Sequence, residues 1–127
     1  ANRAYQRRIL QADRTIETNL FGLSWPLRHR VVPNAATRRW CGEDGHARPL
    51  PAALNAISRP LSALGYFEAG PLMRLQSPAL PFFTPLAPVA GVPDSWLDSA
   101  ALYAGETALR ISELTSAGQA VADLNPR

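Results

Sequence analysis

The stretch that decides the predicted fold is Leu102-Tyr103-Ala104-Gly105-Glu106-Thr107-Ala108-Leu109-Arg110-Ile111, near the end of the chain. Within residues 95–111, apolar side chains recur at intervals of three and four, which is the spacing of one face of an α-helix. The members of this face are Leu97, Ala101, Ala104, Ala108 and Ile111. Small residues on such a face let another backbone approach closely. We therefore predict one continuous, closely packed helix over residues 95–111, with Asp94 as its N-cap.

A second helix is predicted after this one. Ser116 followed by Gln119 has the spacing of a capping box, in which two side chains satisfy free backbone groups at a helix start. The helix should run to Leu124, because Asn125-Pro126 stops it. Residues 94–127 are therefore predicted to form a C-terminal helical pair.

Two asparagines predict short helices earlier in the chain. Asn2 is a candidate N-cap for a helix over residues 2–13, whose apolar stripe is Tyr5, Ile9 and Ala12. Asn34 is a candidate N-cap for a helix that ends at Trp40. An asparagine at this position accepts a hydrogen bond from the backbone of the first turn.

Prolines shape the middle of the chain. Pro49 and Pro51 are compatible with the first turn of a helix, and helical spacing follows as far as Leu64. Pro60 should kink or break that helix, because proline lacks a backbone N–H and clashes with the preceding turn.

The other segments predict little regular structure. Residues 15–23 alternate loosely in polarity, which indicates a short strand. Residues 70–93 contain six prolines and predict a long loop with Leu80, Phe82 and Phe83 packed against a surface. We thus predict a mostly α fold with a short extended or β piece and a long proline-rich loop. It forms a single partial domain over residues 1–127, in which an irregular excursion with short helices (15–93) follows a first helix (1–14).

Positive charge is concentrated in the first part of the chain. All 13 basic residues are arginine, and residues 1–48 hold nine of them against four acidic residues. The predicted basic patch contains Arg28, His29, Arg30, Arg38 and Arg39, with Trp25 and Trp40 interleaved. Such a patch could bind nucleic acid, bind a cofactor phosphate or pair with another part of a larger protein. The absence of lysine argues against nucleic acid.

Cys41, Glu43, Asp44 and His46 form a compact polar cluster. Thiolate, imidazole and carboxylate groups all bind zinc, but a structural zinc site needs four ligands and the chain offers no second Cys/His pair. Cys41 with a histidine could also be a nucleophile pair, although that spacing is no signature of one. We favour a solvated turn and predict no metal.

Glu106 and Tyr103 offer the other candidate chemistry. A carboxylate beside a phenol could orient a ligand or transfer a proton. The alternative, which we favour from the sequence alone, is a surface glutamate paired with Arg110 four residues later.

Several classes of function lack their signals. The sequence contains no glycine-rich phosphate loop and no apolar run of the roughly 20 residues that a membrane span needs. A single cysteine fits a reducing compartment, which predicts a cytoplasmic protein. The chain begins at Ala1 without a methionine and enters helical spacing at once, so we expect it to be cut from within an element of a longer protein; the alternative is a processed or trimmed chain.

Two separate stretches of the chain resemble flavin-dependent nitronate monooxygenases, formerly called 2-nitropropane dioxygenases. The first contains Ala4-Tyr5-Gln6-Arg7-Arg8-Ile9-Leu10-Gln11-Ala12, Thr18-Asn19-Leu20-Phe21, Trp25-Pro26 and His29-Arg30-Val31-Val32-Pro33-Asn34. The second, Leu102-Tyr103-Ala104-Gly105-Glu106, is similar to the terminal helix of that family. The proline-rich middle matches least, and the two residues between Pro26 and His29 form a shorter linker than the family has.

The resemblance implies an FMN-dependent oxidoreductase that oxidises nitronates or similar small carbon acids with O2. The family folds as a (β/α)8 TIM barrel, so this chain would be the C-terminal segment of an α/β enzyme, with the barrel itself absent. The family's flavin phosphate-binding loops and catalytic histidine lie upstream of the matching region, and neither His29 nor His46 matches that histidine. The resemblance therefore implies no catalytic residue here and no activity for the segment alone.

The resemblance also implies an arrangement. Residues 1–14 would be a barrel-type helix, 15–93 would lie near the substrate side, and 94–127 would pack back on the barrel. Substrate- or cofactor-pocket candidates are Tyr103, Gly105 and Glu106. The implied partner is the remainder of the barrel or another copy of the chain. The alternatives are an arginine-rich module that binds RNA or another polyanion, and a non-catalytic helical interaction segment.

Overall fold

Side-chain caps fix where the first two helices begin. The side chain of Asn2 accepts a hydrogen bond from the Tyr5 backbone, and helix α1 follows over Arg3–Gln11. Asn34 and Thr37 form a reciprocal capping box at the start of helix α2, Ala35–Trp40. Both helices and both N-caps confirm the sequence prediction.

A computed structural model describes residues 2–25, 27–65 and 69–125 of the chain. Ala1, Pro26 and Pro126, which entered the sequence predictions, lie outside the described residues. The remaining elements are β1 (Ile16–Thr18), β2 (His29–Val31), α3 (Pro49–Ala63), α4 (Ala69–Leu75), two 3₁₀ turns (Asp94–Asp98 and Glu106–Arg110) and α5 (Ala117–Leu124). The regular structure is mostly helical, as predicted, and the predicted short β piece is strand β1 of a small two-stranded sheet, whose second strand was not predicted.

The sheet lies between distant parts of the chain. Strands β1 and β2 pair antiparallel with Ile16 opposite Val31, and Val31 also bridges to Tyr103. The backbone N–H of Val32 donates to the Leu102 carbonyl at 2.9 Å, and that of Ala104 donates to the Arg30 carbonyl at 3.3 Å. Residues 102–104 therefore run beside β2, although they were predicted to be helical.

The predicted helix over residues 95–111 is wrong, and the core explains why. Ala101 and Leu102 are both fully buried, but they pack into two different apolar clusters. Extended backbone points successive side chains to opposite sides, so this segment can supply both clusters, whereas a helix rotates adjacent side chains by only about 100° and would not place them on opposite sides. Only Asp94–Asp98 and Glu106–Arg110 are helical, as 3₁₀ turns. Pro93, rather than Asp94, occupies the N-cap position.

The two apolar clusters hold the described structure together. One surrounds the edge-to-face pair of Phe21 and Phe83, whose ring centroids lie 5.9 Å apart. The other joins Val32, Leu97 and Leu102 to the apolar stripe of α1. The three-residue stretch around Leu102 thus lies between the two clusters.

Two further predictions about proline need correction. Helix α3 continues through Pro60 to Ala63, so the predicted break does not occur; Pro60 lies in the last turn and a half, where few backbone hydrogen bonds follow it. Helix α4 includes Pro71 in its first turn, where the missing N–H has no helical partner to lose, so the loop predicted over residues 70–93 begins later. Residues 76–93, all within the described chain, contain no helix or strand.

The C-terminal region keeps one of its two predicted helices. The Ser116 hydroxyl accepts from the Gln119 backbone, and α5 runs to Leu124 as predicted. Because the preceding segment forms 3₁₀ turns and extended backbone, the helical pair predicted over residues 94–127 is wrong.

Asn34 connects α2 to the segment beside the first 3₁₀ turn. Its fully buried side-chain amide donates to the carbonyls of Leu97 (2.9 Å) and Ala100 (2.8 Å), while its carbonyl oxygen accepts from the Thr37 backbone. One side chain thus satisfies three backbone groups that water does not reach.

We expect Asn34→Ala to lower the free energy of unfolding by roughly 3 kcal/mol, because it removes a helix cap and leaves two buried carbonyls without partners. Urea unfolding followed by circular dichroism measures this loss. Ser116→Ala, at the exposed cap of α5, is the matched control and should cost about 1 kcal/mol or less. Equal losses in the two variants would contradict the role assigned to Asn34.

Candidate functional site

Tyr103 is held at both ends by hydrogen bonds within the chain. Its hydroxyl donates to the Pro85 carbonyl at 2.6 Å, and its own carbonyl accepts from the Tyr5 hydroxyl at 2.6 Å. Burial raises the pKa of the Tyr103 phenol. The phenol is therefore neutral, and its O–H already donates a hydrogen bond. This leaves the ring as its main surface for a ligand.

His29 contacts Tyr103, and this contact was not predicted from the sequence. The two rings meet edge to face with centroids 5.4 Å apart. Burial lowers the pKa of His29, opposed by a hydrogen bond with the Phe21 backbone. Its Nε2 is buried and has no partner among the described residues. The sequence offered no signal for this contact, because it depends on the pairing of β2 with residues 102–104.

Glu106 forms an ion pair with a different arginine from the one expected. Its Oε1 lies 3.1 Å from Nη1 of Arg30, and the Glu106 side chain is 74% exposed. The ion pair with Arg110 that the sequence favoured is therefore wrong. Arg30 lies beside Glu106 instead, because β2 pairs with residues 102–104. An exposed pair of this kind contributes little to stability, which leaves the carboxylate available for another role.

Gly105 lies between Tyr103 and Glu106 in the chain and is exposed. A Cβ placed on it would meet only Thr107 Oγ1, at 3.8 Å, so no described neighbour requires a glycine there. Tyr103, Gly105 and Glu106 follow one another along one edge, whereas five clefts in the described part of the chain are lined by other residues.

The Cys41–His46 cluster is a structural turn. Cys41 is buried, its Sγ lies 3.2 Å from Thr18 Oγ1, and burial raises the pKa of its thiol, which disfavours the reactive thiolate. His46 points outward to Asp44 Oδ2 (2.9 Å) and to Nη2 of Arg28 (2.5 Å). Among the described residues, no group of three or more His, Cys, Asp or Glu side chains is placed to hold a metal ion.

The turn is set by glycine. Gly45 has a φ of +81°, and a Cβ there would lie 2.2 Å from the Glu17 carbonyl oxygen, so only glycine fits against β1. This close approach places the Cys41–His46 cluster against the edge of the sheet. It does not direct the possible metal ligands of that cluster to a common point.

The predicted basic patch is not one surface. Arg28 lies 3.8 Å from Glu17, Arg30 pairs with Glu106, and Arg39 lies over the Trp40 ring at 5.3 Å. Arg38 instead lines a cleft of about 350 Å³ together with Arg14 and Arg48. The predicted patch contained arginines that are close in the sequence. In the structure, the arginines that share a cleft are those at the ends of α1, α2 and α3.

Comparisons of this chain with models of protein families, with curated proteins and with solved structures find no match. In the described part of the chain, no helix has both the length and the apolar character needed to cross a bilayer.

We expect the contribution of Tyr5 to stability to depend on alkaline pH. Burial, with a smaller effect from Tyr103, raises the pKa of Tyr5 from 10.0 to about 12. The folded protein keeps this proton to a higher pH than the unfolded chain, so the contribution is full below the unfolded pKa of 10.0 and is lost as the pH rises toward about 12.

The measurement is urea unfolding of the wild type and of Tyr5→Phe at several pH values. At neutral pH the variant should be less stable by about 1 kcal/mol, because the hydrogen bond to the Tyr103 carbonyl is lost. The difference in unfolding free energy should shrink through the alkaline window. A difference that stays constant there would show that Tyr5 titrates normally.

Proposed function

We propose that this chain acts as the C-terminal segment of a flavin-dependent oxidoreductase of the nitronate monooxygenase type. The intact enzyme would bind FMN, oxidise nitronates or similar small carbon acids with O2, and work in the cytoplasm. The chain's own part would be to support one side of the flavin and substrate pocket. The residues that would face that pocket are Tyr103, Gly105 and Glu106.

The observation that carries the proposal is that the two stretches that resemble the family contact each other. They are more than 65 residues apart in the sequence, yet β2 of the first pairs with residues 102–104 of the second. His29 contacts Tyr103, and Arg30 contacts Glu106. Two motifs that act in one site must come together in space, and this geometry satisfies that requirement.

The fit to a flavin is partial. Tyr103, Gly105 and Glu106 lie outside the five clefts described above, and Gly105 and Glu106 are exposed, so these residues do not enclose an isoalloxazine ring by themselves. The open side of Gly105 and the exposed carboxylate of Glu106 leave room for a ligand or for another part of a larger protein. We therefore assign no chemical step to this chain alone.

Helix α3 supports a role as part of a larger assembly. Its buried residues include the polar Asn55 and Ser58, whereas Leu50 and Ile57 are 52% and 59% exposed. A surface helix usually has its apolar side chains inward and its polar side chains outward, and α3 shows the reverse arrangement. The remainder of the barrel, or another copy of the chain, would cover this face. The same face also suits the alternative of a non-catalytic interaction segment.

The test is to express the protein encoded by the reading frame extended upstream of Ala1. We expect a yellow product that releases FMN on denaturation and consumes O2 when an alkyl nitronate is added. A folded but colourless product without nitronate-dependent O2 uptake would exclude the flavoenzyme and leave the interaction segment.

Glu106→Gln in that longer protein separates a pocket role from a structural one. We expect the rate of nitronate oxidation to fall about tenfold, the effect of losing one charge-assisted hydrogen bond. Stability should change by less than about 1 kcal/mol, since the ion pair with Arg30 is exposed. Oxygen-electrode kinetics and thermal unfolding give the two readouts.

The matched control is Glu113→Gln, which removes an exposed carboxylate seven residues later and should leave the rate unchanged. An unchanged rate in Glu106→Gln would remove Glu106 from the pocket.

A further inference from the structure

Three helix ends bring arginines to one cleft. Arg14 follows the end of α1, Arg38 lies in the last turn of α2, and Arg48 is the N-cap residue of α3. All three line the cleft of about 350 Å³, whose floor includes Pro33 and the buried Cys41. These arginines are 34 positions apart from first to last, so the fold rather than the local sequence collects them.

A second cleft neighbours the first, because three residues line both of them. That cleft, of about 300 Å³, shares Arg14, Pro33 and Arg38 with the first and adds Arg8 and Asp13. The two together form an elongated basic groove between α1 and α2. Each volume is near the lower end of the range of roughly 300–1,000 Å³ that small-molecule sites occupy.

The three arginines of the larger cleft are not neutralised by ion pairs within the described chain. Arg8, Arg28 and Arg30 each lie within 4.0 Å of a carboxylate. Within the part of the chain that the structure describes, no carboxylate lies that close to Arg14, Arg38 or Arg48. Glu43 is the one acidic residue among those lining the larger cleft. Three arginines that line one concave surface concentrate positive potential there.

We propose that this groove binds a small phosphorylated anion, whose phosphate is held by Arg14, Arg38 and Arg48. Guanidinium groups present planar pairs of donors that match phosphate oxygens, and several of them suit a group with more than one negative charge. The site is separate from Tyr103, Gly105 and Glu106, and it does not depend on the flavoenzyme proposal.

A nucleic-acid strand fits this groove less well than a small ligand. Binding of single strands relies on aromatic faces on which bases stack. Trp40 is occupied, because its Nε1 donates to the Pro78 carbonyl at 2.9 Å and Arg39 lies over its ring. Trp25 is exposed but does not line either cleft.

The test is isothermal titration of the 127-residue chain with inorganic pyrophosphate at fixed ionic strength. We expect saturable binding that Arg38→Gln weakens at least tenfold, the effect of one lost charge-assisted hydrogen bond. Arg14→Gln should have a similar effect, so the result does not depend on one variant folding well. Circular dichroism checks that each variant keeps its helices.

Arg39→Gln is the matched control, since it removes the same charge from the neighbouring residue, which stacks on Trp40 outside the groove. We expect it to bind pyrophosphate within about twofold of the wild type. Equal weakening in Arg38→Gln and Arg39→Gln would overturn the proposal, because it would indicate attraction to net charge only. Absence of saturable binding would overturn it as well.

A second titration, with a single-stranded oligonucleotide, distinguishes the two sources of phosphate. Binding of the oligonucleotide that pyrophosphate does not displace, with a steep loss of affinity in salt, would replace the small ligand by a polyanion. Displacement by pyrophosphate would support the groove as the phosphate site.

Discussion

The rest of the structure depends on the pairing of β2 with the backbone of residues 102–104. The hydrogen bonds between Val32 and Leu102 and between Arg30 and Ala104 hold this backbone in place. Because the segment is extended there, Ala101 enters the cluster around Phe21 while Leu102 enters the cluster around Val32. The same pairing brings His29 and Arg30 beside Tyr103 and Glu106. One short ladder thus sets the core and the candidate site together.

Local signals in the sequence were sufficient at three of the four predicted helix caps, with Asp94 as the exception. A cap joins residues three apart, so the helix starts at Asn2, Asn34 and Ser116 could be predicted without knowledge of the fold. The helical spacing of residues 95–111 failed because spacing does not reveal a distant strand. A segment that meets apolar clusters on both sides gains more from extended backbone than from its intrinsic propensity for helix.

The candidate site could be predicted only in part for the same reason. The resemblance singled out Tyr103, Gly105 and Glu106 as neighbours in the chain, but their partners come from β2. Likewise the arginines that share the groove lie at the ends of three helices, whereas adjacent arginines such as Arg38 and Arg39 face different surroundings. Which cations are neutralised by acids depends on tertiary contacts, and no charge count along the sequence contains that information.

The scarcity of regular structure explains why amide side chains occupy the interior. Long segments without helix or strand bring backbone groups into the core that a ladder would normally satisfy. Gln76 bonds to the Ser99 carbonyl and the Thr84 N–H, Asn55 bonds to the carbonyls of Asn19 and Leu20, and Asn34 acts in the same way. These side chains turn toward the core because the irregular backbone needs them there. On α3, where Asn55 points inward, the apolar side chains are left on the outer face. The irregular backbone that the fold must bury thus explains why polar side chains of α3 turn inward, and the apolar side chains left outside are the surface that a larger assembly would cover.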